Sequence, residues 1–89
     1  MKYVYPALFT ACKEGGYAIR FPDLPGTNSQ GDDLYNALEM AEYSLYEWLE
    51  YLTDKKMDIP AASRIQEIKP ESGQFVSMVK AELKKTEVA

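Results

Sequence analysis

The sequence has no histidine and a single cysteine, Cys12. One cysteine cannot close an internal disulfide, and without histidine it can build neither a zinc finger nor a Cys-His catalytic pair. Any general base would have to be Asp, Glu, Lys, Tyr or Cys12 itself. Cys12 lies beside Lys13 and reads as a small packed residue at a strand end, inert in chemistry. Long hydrophobic runs are missing too. Nowhere do apolar residues continue for the roughly 18 positions a membrane span requires, and the start MKYVYPALF lacks the layout of a secretion signal. The expectation is a soluble, cytoplasmic chain with no membrane partner. The few glycines, Gly15-Gly16 and Gly26 among them, lack the spacing and the following Lys-Ser/Thr of a phosphate loop, so they read as turn residues. No cofactor is expected.

Basic residues are absent from one long stretch: positions 21 to 54 carry eight acids and no Lys or Arg, while both flanks are slightly positive. An anionic block of this kind repels phosphate and attracts cationic surfaces. Direct DNA binding by this chain is therefore not expected, and a basic protein partner is. With 89 residues the chain is one small domain that buries roughly 64% of its unfolded surface, enough for a modest core. Residues 1–83 are read as that domain and 84–89 as a frayed tail. Seven tyrosines in so short a chain need a place.

Residues 2–12 are rich in Tyr, Val and Phe and read as a strand, with Pro6 suggesting an edge or bulge. Lys13 to Gly16 turn the chain into a second strand, where Tyr17, Ile19 and Phe21 alternate with Ala18 and Arg20. Pro22 to Gly26 form a rigid turn, and Thr27 to Gln30 a short polar strand. Asp32 offers an N-cap carboxylate and Asp33 a first-turn charge to a helix whose apolar positions recur at Leu34, Ala37, Leu38, Ala41, Leu45, Trp48, Leu49 and Leu52. That helix should end near Asp54 to Lys56. After a connection containing Pro60, Ser63 to Gln66 have the spacing of a capping box for one turn running to Ile68. A last strand spans Gln74 to Glu82, with Phe75, Ser77, Val79 and Ala81 on one face. The order β-β-β-α-β predicts an α+β fold, an antiparallel sheet with one long helix across one face. Apolar residues on the other face, such as Val4, Leu8, Val76 or Met78, would then need another chain, so a homo-oligomer is expected.

Projected at about 100° per residue, the helix turns Leu34, Leu38, Leu45, Leu49 and Leu52 toward the core. Tyr35, Glu39, Tyr43, Tyr46 and Glu50 share an outward sector, with Glu47 beside it. Exposed tyrosine among carboxylates can be a merely solvated face, but it also suits a partner presenting Lys and Arg, where rings supply buried area and charge steers the encounter. These six residues are the candidate partner-binding set. Asp23, Asp32 and Asp33 are the nearest approach to a metal-binding cluster, although carboxylates at a helix start are ordinarily caps.

The stretch GGYAIRFPDLPGTNSQGDDLYNALEMAEYSLYEWLE, Gly15 to Glu50, resembles the HicB-like antitoxin family of bacterial type II toxin-antitoxin modules. A Gly-Tyr strand runs into Phe-Pro-Asp-Leu-Pro-Gly, then a polar strand, Gly-Asp and an Ala-containing amphipathic helix; the segment from Ile68-Lys69-Pro70 to Phe75-Val76-Ser77 is similar as well. The resemblance implies a partial ferredoxin-like or degenerate RNase H-like fold without catalysis. It also implies a partner, a small basic HicA-like toxin that cleaves messenger RNA. Many family members continue into a C-terminal DNA-binding domain, which this sequence, reaching Ala89, does not show. Two other readings stand beside it: a small metal-dependent nuclease using Asp23, Asp32 and Asp33, and an oligomeric ligand-binding or structural domain.

Overall fold

The computed structural model describes residues 1–83; Lys84 to Ala89, read above as a tail, lie outside the described residues. Strand β1 (Lys2–Ala11) is the spine of the sheet, because it pairs antiparallel with β2 (Tyr17–Arg20) on one side and with β4 (Gln74–Glu82) on the other. The short β3 (Ser29–Gly31) pairs with β2, so the order across the sheet is β3-β2-β1-β4. Helix α1 (Leu34–Asp54) packs on one face. The α+β class and the β-β-β-α-β order expected from the sequence are both present. Among the described residues no helix is long and apolar enough to cross a membrane.

Alternation along the strands decides what is buried. Tyr5, Ala7 and Phe9 of β1, Ile19 of β2 and Val79 of β4 point under the helix and meet Ala37, Ala41, Leu45 and Leu49. Phe9 stacks on its cross-strand partner Phe75 with ring centroids 4.8 Å apart. Phe21 and Leu24, in the turn after β2, complete this core. That turn is closed by Thr27, whose hydroxyl accepts from the Phe21 N–H at 3.3 Å and donates to the Leu24 carbonyl at 2.8 Å. Thr27 is therefore a buried turn residue, and β3 begins two residues later than the polar-strand pattern suggested.

Several expectations at the ends of elements need correction. The N-cap of α1 is Asp33, not Asp32: its backbone is extended and its side chain accepts from the Asn36 N–H at 2.8 Å. The Asn36 Oδ1 in turn accepts from the Asp32 N–H at 2.9 Å, so the side chains of Asp33 and Asn36 satisfy two donors reciprocally. The helix ends with a left-handed residue at Lys56, φ 58°, where the N–H groups of Lys56 and Met57 bond back to the carbonyls of Thr53 and Leu52. The later single turn is a short 3-10 helix, Ile65–Glu67, opened by Arg64, whose N–H donates to the Glu67 carboxylate at 2.9 Å. Ser63 does not cap it. Its N–H and hydroxyl both donate to Asp23, at 2.8 and 2.6 Å, which pins the connection after α1 to the turn after β2. The Tyr5 hydroxyl, donating to the Pro60 carbonyl, anchors the same connection from the core side.

Leu34 and Leu38 are not core residues. They are 46% and 40% exposed, while the buried line runs Ala37, Ala41, Leu45, Leu49, Leu52. The cause is the close passage of α1 over β3, where Gly31 lies so near the backbone of Ala37 that it has no room for even a Cβ. On the opposite sheet face Val4 and Met78 are exposed and Val76 is half-buried, but Leu8, expected to be uncovered, is buried.

Candidate partner-binding surface

The amphipathic period of α1 places its acidic and tyrosine positions away from the sheet, since every fourth or third residue is committed to the core. Tyr35 is 75% exposed and Tyr43 57%; Tyr46 is half-buried, and Glu39, Glu47 and Glu50 are exposed. Two tyrosines are oriented by carboxylates one turn on. The Tyr46 hydroxyl donates to Glu50 at 3.4 Å, and the Tyr43 phenol lies beside the Glu47 carboxylate. Pairs at this spacing face each other along a helix surface, so the rings lie along the surface beside their carboxylates.

These pairings hold both phenol protons more tightly than usual. For Tyr43 the hydrogen bond to Glu47 leads, followed by that carboxylate's charge; for Tyr46 the negative charge of Glu50 leads. Because the folded chain keeps these protons when the unfolded chain would release them, the contribution to stability is complete below pH 10.0 and falls away as the pH rises beyond it. In a phenolate absorbance titration Tyr43 and Tyr46 should ionise late, and Glu47→Gln should move Tyr43 earlier while leaving Tyr46 in place. Late ionisation of Tyr43 persisting in that variant would contradict the assignment to Glu47.

The structure divides the six candidates. Glu39, Tyr43 and Tyr46 line an open groove of about 800 Å³ between one flank of α1 and the paired ends of β1 and β4. Glu42, a helix residue outside the candidate set, lies on the same wall, and Tyr3, Lys2, Lys80 and Glu82 form the strand side. Register brings those strand residues together, with Lys2 opposite Glu82 and Val4 opposite Lys80. Glu42 was within reach of the helical projection, being one turn from both Glu39 and Tyr46. The strand residues carried no such signal. Tyr35 and Glu50 lie outside the groove, and Glu47 sits on the other flank, beside Trp48.

Two of the three aspartates considered for metal do other work. Asp33 caps α1 and Asp23 holds Ser63. Among the described residues no three His, Cys, Asp or Glu side chains gather so that they could hold a metal ion. Cys12 is half-buried, its thiol directed at the Thr10 carbonyl at 3.9 Å.

Residues 5–88 match the family model described as "HicB_like antitoxin of bacterial toxin-antitoxin system". A curated relative from Photorhabdus laumondii, "Antitoxin HicB 1", is 39% identical over 56 residues, covering 63% of this chain and 36% of its own length. The chain thus spans about a third of that relative. Among solved structures, a chain of a toxin-antitoxin complex from Streptococcus pneumoniae superposes with a TM-score of 0.83 at 22% identity, over 100% of this chain and 82% of the other. The N-terminal domain of an antitoxin HicB from Burkholderia pseudomallei superposes with a TM-score of 0.77 at 24% identity, over 91% of this chain and 100% of the other. At such identities these likenesses concern the fold.

Proposed function

The chain belongs to the HicB-like antitoxin family, and on that premise we propose that it is a non-enzymatic antitoxin that neutralises a small basic ribonuclease toxin. The outward face of α1, with Tyr35, Glu39, Tyr43, Tyr46, Glu47 and Glu50, covers the toxin's cationic RNA-binding surface. One observation carries this reading: an anionic segment, with no base from position 21 to 54, ends in the helix Leu34–Asp54, whose exposed side interleaves carboxylates with tyrosines. A surface that holds RNA must be positive, so a carboxylate face competes for it directly, and tyrosine rings add buried area at little entropic cost. The groove beside Glu39, Glu42, Tyr43 and Tyr46 gives this face relief that a protruding basic segment can enter. No nucleic acid contact by this chain is part of the proposal, and it works in the cytoplasm.

Self-association belongs to the same reading. The sheet face opposite α1 exposes Val4 and Met78, and β4 is an edge strand with one side unpaired by any described strand. A second copy covering them would bury apolar surface and satisfy the edge.

The test is co-expression with a small basic open reading frame adjacent to the gene, followed by an RNA-cleavage assay of that partner with and without this chain. A stable complex with suppressed cleavage is the expected result. A folded chain that neither associates with the partner nor suppresses cleavage overturns the proposal.

A further inference from the structure

On the flank of α1 away from the large groove, Trp48 lies open to a small depression lined by Gly26, Thr27, Asn28, Ser44 and Glu47. Its volume is about 240 Å³, below the roughly 300–1,000 Å³ that drug-sized ligands and cofactors occupy, and suited to a single side chain. The indole is held from behind by Tyr51, the rings stacked with centroids 5.4 Å apart and planes 24° from parallel. Gly26, with φ at 99°, lies at the rim; a Cβ there would stand 3.7 Å from the indole Cη2. With no side chain at that position, the indole is left uncovered on this side. Glu47 supplies a carboxylate beside the ring, and Asn28 and Ser44 add polar groups able to accept hydrogen bonds.

We propose that this depression receives an arginine side chain of the cationic partner, its guanidinium lying on Trp48 and pairing with Glu47. The inference rests on the reading of a basic partner above and assigns which residue type of that partner is recognised, and where. Three observations point to a cation, and the first of them to a planar one. An aromatic surface with a carboxylate beside it matches a guanidinium, which stacks through its plane while its edge donates to the acid. The ring stack already holds a cation of this chain, the Lys55 ammonium 6.0 Å from the centre of the Tyr51 ring. No Lys or Arg of positions 21–54 is present to fill the depression from within that segment. An ammonium, a compact and strongly hydrated charge, gains less from the ring than a guanidinium does.

Trp48 is the sole tryptophan of the chain, so tryptophan emission reports on the surroundings of this one side chain, the depression among them. The intact chain is titrated with a short arginine homopeptide and with a lysine homopeptide of the same length, following tryptophan emission and, separately, binding heat. The arginine peptide should change the emission saturably and bind about two- to five-fold more tightly than the lysine peptide, the range a partly exposed cation–π contact supports. Glu47→Gln should weaken the arginine peptide and shrink that preference, whereas Glu14→Gln, in the β1–β2 turn, should leave both peptides unchanged. Equal affinities for the two peptides, or binding heat without any change in emission, would overturn the inference. Either result leaves the co-expression test untouched, because the outward face of α1 could still bind a toxin without an arginine in this depression.

Discussion

Reversing two charges on α1, Glu39→Lys together with Glu50→Lys, is expected to weaken binding of the basic ribonuclease partner roughly 100-fold while thermal unfolding changes little. Both side chains are exposed and neither contributes to the buried line of Ala37, Ala41, Leu45, Leu49 and Leu52. Each substitution turns an attraction into a repulsion at a surface where opposite charges should meet. Two such changes together cost about 2–3 kcal/mol of association free energy, which is the stated factor. The loss should appear largely in the association rate and shrink as salt is raised, because exposed charges are screened within about 10 Å at ordinary ionic strength. Glu50 also accepts from Tyr46, so the variant frees that ring; Glu39→Gln with Glu50→Gln separates charge from the loss of this bond. Calorimetry of the purified pair at low and high salt makes the measurement. Unchanged affinity in the reversed variant would place the contact on another surface of the domain.

The largest expected effect on folding lies at Gly31. A Cβ at this position would collide with the Cα and N of Ala37 and stand 2.8 Å from its Cβ. Backbone cannot move aside as a flexible side chain can, so the variant must lift the first turns of α1 off β3. Gly31→Ala should therefore cost about 3 kcal/mol or more, at the upper end for overpacking. In a domain of this size that corresponds to a fall in Tm of about 12–24 °C. Gly15 makes the comparison. It has φ at 101° in the β1–β2 turn but nothing within 4 Å of an added Cβ. Gly15→Ala then costs only the left-handed strain, about 1–2 kcal/mol. Thermal unfolding of the two variants side by side checks the argument, and equal losses would mean that contact with Ala37 is not what Gly31 protects.

That contact also explains which parts of this protein were legible in its residues and which were not. The strands β1, β2 and β4, the long helix and their order follow from local chemistry: alternation at Tyr17 and Ile19, apolar recurrence from Ala37 to Leu52, and a polar, acidic start. The candidate surface was legible to the same extent, because residues three and four apart on a helix share a face whatever the helix packs against. Periodicity does not say how the helix is rotated about its axis. Leucine outranks alanine in hydrophobicity, so Leu34 and Leu38 were the natural core choices, yet the helix meets Gly31 at Ala37, buries Ala37 and Ala41, and leaves these two leucines at the rim. The same holds for the surface features. The groove joins Glu39 and Tyr43 to Lys2 and Lys80 only because β1 and β4 pair across the length of the chain, and the shelf at Trp48 exists only because the turn at Gly26 comes back against the helix. Local sequence determined the elements, the anionic helix and its tyrosines. Tertiary packing alone decided which flank of that helix meets which strand or turn, because close approach of backbones depends on residues far apart in the chain whose steric fit leaves no periodic trace.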